Sequence, residues 1–276
     1  MDADDPMTRE TRTAIITGAS SGLGAAIALE MAALGWRIAI GARRVDRLAE
    51  TAEKVSEEGA AEVYAGPLDV TDVDSVERFF GASEGRLGTA DVIVNNAGAS
   101  RFQALAETDP AWLRTEVETN LIGPMLVTHR ALRPLLAAEA VGDVVMVSSD
   151  ASQHPRPGQL AYGASKAGLE NYASGLALAL EGTGVRVVKL RLGPAVSEFG
   201  LDWDLAPEAI EGRTDYWVPF GLRDARMMSK NNMSQLMPVD VARTIVDAVT
   251  QPRHVLLDTI ELQPTVPKTS KERERN

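Results

Sequence analysis

A short apolar run, Thr13-Ala14-Ile15-Ile16-Thr17, leads into a glycine-rich turn from Gly18 to Gly24. Apolar residues at helical spacing follow from Leu23 to Leu34, and Gly35 ends the element. This strand–turn–helix unit constrains the fold more than any other stretch. Its strand has no polar alternation, so it must be covered on both faces, which is the habit of parallel sheets flanked by helices. The unit then repeats. Strands are expected at 37–41, 62–69, 91–95, 142–148, 185–190 and 254–260. Helices are expected at 47–58, 73–80, 109–138, 160–180 and 238–250, with Pro110 where a first helical turn tolerates it.

Such alternation implies right-handed crossovers and a doubly wound α/β Rossmann fold, a mainly parallel seven-stranded sheet with helices on both faces. Residues 13–267 form one domain in this reading. Residues 1–12 and 268–276 read as flexible tails, and no internal repeat is visible. Between 199 and 237 the alternation stops, and the segment is expected to act as a substrate flap.

The turn Gly18-Ala19-Ser20-Ser21-Gly22-Leu23-Gly24 suits a diphosphate. Glycine lets the backbone come close to a ligand, and the helix start behind it offers unpaired N–H groups and a partial positive charge. The alternative is a tight structural turn. After the second strand comes Gly41-Ala42-Arg43-Arg44, with no acid before Asp46. A carboxylate there would hydrogen-bond the ribose of NAD, whereas guanidinium groups bind a 2′-phosphate. NADP(H) is therefore expected over NAD(H), unless both arginines are only solvated surface charges.

Tyr162 and Lys166 lie four residues apart at the head of a helical stretch, so they share one face. A neighbouring ammonium favours the phenolate, and the phenol is expected to be pulled below its ordinary value near 10. That would make it a usable acid and base.

Composition narrows the field. The net charge of −11 opposes nucleic acid and anionic membrane as partners. There is no cysteine to hold a metal or a disulfide. His129, His154 and His254 lack metal-ligand spacing. The N-terminal residues lack the apolar core of a signal peptide, and no apolar run approaches the length of a membrane span. A cytoplasmic protein acting on a small-molecule substrate is expected.

Several motifs together resemble the short-chain dehydrogenase/reductase family over nearly the whole chain. They are Thr17-Gly18-Ala19-Ser20-Ser21-Gly22-Leu23-Gly24, Asp69-Val70, Asn95-Asn96-Ala97-Gly98, Asn120, Val147-Ser148-Ser149 and Tyr162-Gly163-Ala164-Ser165-Lys166. The resemblance implies a catalytic tetrad of Asn120, Ser149, Tyr162 and Lys166. Ser149 is chosen over Ser148 because it lies thirteen positions before the tyrosine. Asn120 falls inside the long helix, where the family breaks the helix locally; the alternative is a mid-helix polar residue facing water. Tyr162 would exchange the proton, Ser149 would hold the reacting oxygen, and Lys166 would hold the nicotinamide ribose.

Cofactor contacts implied in the same way are Gly18, Ser20, Ser21, Gly22, Leu23 and Gly24 at the diphosphate, and Arg43 with Arg44 at the 2′-phosphate. Asp69 and Val70 would flank the adenine, Asn95, Ala97 and Gly98 would floor the ribose, and Val196 would meet the carboxamide. Leu192-Gly193-Pro194 reverses the family's Pro-Gly order, and whether Ser197 or Glu198 replaces its Thr stays open. Family members assemble as dimers or tetramers, so a homodimer or homotetramer is implied. A stripe of Leu169, Tyr172, Leu176 and Leu180 is equally the face a helix turns to its own sheet.

On the substrate side, Trp203, Tyr216, Trp217 and Phe220 with Met227, Met228, Met233 and Met237 suggest an apolar, adaptable flap, hence a lipophilic secondary alcohol or ketone. A packing layer or subunit contact is the alternative. Gln153, His154 and Gln159 are candidate flanking residues. Two competing readings remain: a 3-oxoacyl carrier-protein reductase, using Arg101, Arg156, Arg213, Arg223 and Arg226 as a basic mouth, and a non-catalytic NADP-binding regulator.

Overall fold

The computed structural model describes residues 11–196 and 235–265. Seven strands form one parallel sheet: β1 (Thr13–Thr17), β2 (Arg37–Ala42), β3 (Glu62–Pro67), β4 (Val92–Asn95), β5 (Gly142–Ser149), β6 (Val185–Leu192) and β7 (Thr259–Leu262). Their order across the sheet is β3-β2-β1-β4-β5-β6-β7, so the chain reverses direction of travel between β1 and β4. In open α/β sheets a crevice opens at that switch point, beyond the carboxyl ends of the strands.

Side chains alternate along each strand, and the two faces fill from different helices. Ala14 and Ile16 of β1 pack with Ile38, Ile40, Val92 and Val94 under α1 (Gly22–Ala32), α2 (Val45–Glu58) and the C-terminal helix Pro238–Val249. Ile15 points the other way, with Ile93, Val144 and Met146, under α3 (Val73–Leu87), α5 (Gly123–Ala137) and α6 (Leu160–Ala179). The C-terminal helix is α7. Covering by helices on both sides is the expected doubly wound arrangement.

Three elements differ from expectation. The third helix runs to Leu87 rather than Phe80, burying Ser83 and Leu87 on its added turns. The long helix 109–138 is interrupted: α4 (Pro110–Val117) passes through a π-turn at Glu118–Ile122 before α5. The last strand begins at Thr259 rather than His254. Arg186 explains this shift, because its Nη1 donates to the carbonyls of Gln251, Pro252 and Val255 and so holds that stretch as a loop.

Arg186 belongs to a charged cluster at the amino-terminal edge of the sheet. Asp143, fully buried, accepts from Arg12 Nη2 at 2.7 Å, Arg186 Nε at 2.7 Å and Arg253 Nη1 at 3.0 Å. Arg12 Nε also meets Asp91 Oδ1 at 2.7 Å. Arg12, assigned to the tail from sequence, is therefore part of the fold. Residues 1–10 and 268–276 of the expected tails and nearly all of the 199–237 segment lie outside the described residues. Among the described residues, no helix is long and apolar enough to cross a membrane.

Candidate active site

The turn after β1 is built as its sequence demands. Gly18 has φ +69°, and a Cβ there would stand 2.8 Å from Ala97 Cα. A Cβ on Gly24 would fall 2.5 Å from the Gly18 carbonyl oxygen. Neither position admits a side chain, so the backbone lies open at the start of α1, whose first turn carries no acid. Ser20, Ser21, Gly22 and Leu23 line this turn.

Two neighbours hold it. Asn96 Nδ2 donates to the carbonyls of Thr17 at 2.9 Å and Gly18 at 3.4 Å, and Thr17 Oγ1 accepts the backbone N–H groups of Asn96 and Ala97. Arg44 reaches in from beyond β2, donating to Ser20 Oγ at 3.2 Å and Ser21 Oγ at 2.6 Å. Arg43 instead faces Asp69. Burial pushes Asp69 up, but hydrogen bonds from Thr71 and the Arg43 charge outweigh it and hold the carboxyl below its usual value. Val70 packs against Gly123, where α5 begins.

Asn95 behaves otherwise than expected. Its side chain turns away from the crevice and donates to Thr128 Oγ1 on α5 at 3.0 Å, leaving only its main chain, with Ala97 and Gly98, for a ribose floor. Side-chain alternation sends Asn95 into the α5 layer and frees Asn96 for the glycine turn. Val196 also departs: its N–H donates to the Leu236 carbonyl at 2.8 Å, so it has no free donor for a carboxamide.

The four proposed catalytic residues converge. Ser149 ends β5, and its side chain shares a hydrogen bond with the Tyr162 hydroxyl. Ser148 faces away and donates to Glu170, which separates the two serines structurally. Tyr162 and Lys166 sit one turn apart on α6, both buried. Lys166 Nζ donates to the Val147 carbonyl at 2.8 Å and lies 5.8 Å from the Tyr162 ring centroid.

Asn120, fully buried in the π-turn, does not face water. Its Nδ2 donates to the Ala99 carbonyl at 2.7 Å and to Ser165 Oγ at 3.2 Å, and its Oδ1 accepts from the Ala99 N–H at 2.8 Å. It thus ties the segment after β4 to α6. π-Turns inside helices frequently mark functional positions.

Electrostatics correct one expectation. The Tyr162 phenol is pushed up to about 12, not down. Burial is the main cause, with Asp150 and Glu116 adding negative charge, and the Ser149 hydrogen bond and Arg156 only partly offset it. Lys166 is lowered to about 8, again by burial, with Glu170 opposing. Desolvation of both groups overrides the attraction that their spacing suggests.

A family model described as short chain dehydrogenase matches residues 12–203. The chain belongs to the short-chain dehydrogenase/reductase family. Similar relatives include sulfoacetaldehyde reductase 2 of Chromohalobacter salexigens, 34% identical, with 91% of this chain aligned to 93% of that protein. Glycine betaine reductase ATRR of Emericella nidulans is 36% identical over 92% of this chain, which spans only 19% of that much longer protein. Among solved structures, an alcohol dehydrogenase from the archaeon Thermococcus sibiricus, complexed with 5-hydroxy-NADP, superposes with a TM-score of 0.76. It is 28% identical, and the match covers 94% of this chain and all of that one.

Asn96, inside a quoted motif but assigned no role there, clasps the glycine turn. Family motifs did not point to two acids that shape this short-chain dehydrogenase/reductase site. Glu116, buried on α4, accepts from the Arg101 N–H at 2.7 Å and Trp112 Nε1 at 3.2 Å, and also from Ser100 and the Tyr162 N–H. It therefore satisfies an otherwise open donor in the first turn of α6. Burial is the main reason its carboxyl lies above the usual range. Asp150 accepts from Ser149 Oγ at 3.2 Å and from Arg156 Nη2 at 2.5 Å. The only sequence signal for these residues was an acid flanked by small or apolar neighbours, which is too common to single out.

Proposed function

We propose that the protein is an NADP(H)-dependent oxidoreductase that interconverts an alcohol and a carbonyl compound, with Tyr162 as general acid and base. The observation that carries this reading is the buried Ser149–Tyr162 hydrogen bond above Lys166, beside a turn that excludes side chains. The residues fit the coenzyme. Gly18 and Gly24 leave a cradle, the α1 N-terminus offers donors, and Arg44 and Arg43 are the guanidinium groups that would hold a 2′-phosphate. The solved alcohol dehydrogenase with a bound NADP derivative agrees. When bound, the nicotinamide supplies or accepts the hydride.

The chain's own residues do the rest. Ser149 orients the reacting oxygen against the Tyr162 hydroxyl, which gives its proton on reduction and takes one on oxidation. A phenol raised to about 12 stays protonated at neutral pH, so the free enzyme is poised as the acid for reduction. Lys166 offers an ammonium to ribose hydroxyls once released from the Val147 carbonyl. Asn120 fixes the distance between the β4 and α6 walls.

The lipophilic substrate expected earlier rests on residues outside those described. The described wall is charged: Asp150 and Arg156 form a nearly buried pair beside Tyr162, and Gln159 is buried with them. We read the substrate as a small polar carbonyl compound or its alcohol, and relatives named for sulfoacetaldehyde and glycine betaine support that class. Arg156, committed to Asp150, does not form a basic mouth for an acidic carrier protein. Assembly as a dimer or tetramer through α4, α5 and α6 is part of the proposal, since Leu113, Val117, Ile122, Leu136 and Leu178 are exposed there.

The test is NADPH oxidation against matched charged and lipophilic aldehydes and ketones. Turnover on no carbonyl despite NADPH binding would favour the regulatory reading. Preference for the lipophilic set would restore the earlier substrate class.

A further inference from the structure

Glu170 lies one turn beyond Lys166 on the same face of α6 and is buried. Its Oε1 accepts from Ser148 Oγ at 2.8 Å, Ser152 Oγ at 2.5 Å and Arg191 Nε at 3.1 Å. Its Oε2 accepts from Arg191 Nη2 at 2.7 Å and Gln153 Nε2 at 3.3 Å. Ser148 and Ser152 bracket Ser149, so one carboxylate grips the chain on both sides of the residue that touches Tyr162. Arg191 comes from β6 and also reaches Glu261 on β7 at 3.2 Å. The carboxylate therefore joins the end of β5, the loop after it, α6 and β6 at a single point.

We propose that Glu170, held by Arg191, is a positioning residue of the active site. It sets the Ser149 loop against α6 and supplies the negative charge that keeps the Lys166 ammonium protonated in a dry site. The inference rests on the reading of Tyr162 and Lys166 given above.

The electrostatic half follows from what surrounds Lys166. Tyr162 and Glu170 share its helix. Glu116 from α4 and Asp150 and Arg156 from the β5–α6 loop act on Tyr162, while Arg191 from β6 meets Glu170 and Glu261 of β7, and Lys189 of β6 meets Asp258. Burial drives the amine towards neutrality, and Glu170 is the anion that opposes it. Glu170 stays ionised because hydrogen bonds from Arg191, Ser152 and Ser148 outweigh the cost of its own burial. Removing its charge lowers the pH at which Lys166 deprotonates. Removing Arg191 while Glu170 remains raises that pH, because less of the carboxylate charge is neutralised.

The experiment follows kcat/KM for NADPH, and NADPH affinity by nicotinamide fluorescence, from pH 6 to 10 in full-length variants. Glu170→Gln should move the alkaline fall in both quantities to lower pH by about one unit. The loss relative to wild type should then grow about sixfold between pH 6.5 and 8.5 and approach tenfold above pH 9. Arg191→Gln should move the same limb to higher pH. Ser152→Ala, which loosens the grip without changing charge, should lower kcat and leave the limb in place.

Evenly reduced activity at every pH in Glu170→Gln, with no movement of the limb, would show a merely structural carboxylate and overturn the proposal. If Glu170→Gln does not fold, Arg191→Gln decides alone, and a limb that stays put or moves to lower pH overturns it. Tyr162→Phe separates the two levels of argument. Turnover retained there brings down the whole site reading, whereas loss there with unmoved limbs brings down only the role of Glu170.

Discussion

The Asp143 cluster at one edge of the sheet and the Tyr162–Lys166 pair at the other bury ionisable groups in opposite ways. At the amino-terminal edge, Asp143 is completely buried yet meets three guanidinium groups, and Arg12 joins it to Asp91. Every charge has a partner of opposite sign, and the cluster binds β5, β6 and the segment after α7 together. At the carboxyl edge, Tyr162 and Lys166 are also buried, but their bonds go to a hydroxyl and a main-chain carbonyl. Their proton equilibria are displaced in consequence, one upward and one downward. A paired buried charge serves the fold. A group whose desolvation outweighs its partners stores free energy that a substrate or coenzyme can release.

The largest effect that would separate the edges is on turnover. Tyr162→Phe should lower kcat by about 10³-fold, within the range for general acid–base groups, while NADPH still protects the protein from thermal unfolding. Retained turnover would place the proton chemistry elsewhere. At the other edge, Asp143→Asn leaves three arginines facing one another without their shared anion. Destabilisation of about 3–5 kcal/mol in urea unfolding is expected, with kcat of the folded fraction unchanged. A loss below about 1 kcal/mol would mean that the cluster is not the brace described here.

Lys166→Met should do the reverse. A basic group held near 8, against about 10.5 when unfolded, binds its proton less readily in the native state. The unfolded chain therefore holds more protons between those values, and native stability rises with pH through that window. At pH 7 the buried ammonium is a cost, so the methionine variant without coenzyme should be more stable by up to roughly 3 kcal/mol, and the gain should shrink towards pH 10. A less stable variant at pH 7 would show that Lys166 is as well partnered as Asp143. The smallest effect concerns Arg44. Arg44→Ala should weaken NADPH binding by about 1–2 kcal/mol with NADH affected less, as for loss of a charge-assisted phosphate contact. Equal weakening of both would remove Arg44 from the 2′-phosphate.

Much of the fold was legible because it rests on local pattern. Unbroken apolar strands separated by helical periodicity left little choice but a covered parallel sheet. The glycine turn and the Tyr162–Lys166 pair stood out because their spacing is short-range, whereas Ser149 was proposed only through the family resemblance. What escaped depended on three-dimensional surroundings. The direction of the Tyr162 shift turns on how much water the site excludes, which spacing cannot reveal. Asn95 and Asn96 are adjacent and chemically identical, and only the pleat of β4 decides which one faces the turn. Glu116, Asp150 and Glu170 matter through partners as far as 46 positions away along the chain, such as Tyr162 for Glu116. The onset of β7 was misjudged because Arg186, a residue of another strand, claims the carbonyls that would otherwise pair.

The wide turn at Glu118–Ile122 accommodates one more residue than a regular helical turn, and Gly123 N–H accordingly bonds to Glu118. Were all of these residues wound as a regular helix, the extra one would add its own increment of about 100° and turn everything upstream relative to α5. Trp112 and Glu116 would then swing off the wall they now build. The wide turn absorbs that residue, so a one-codon deletion near position 120 would remove the turn that carries Asn120 while leaving the flanking helices nearly in phase.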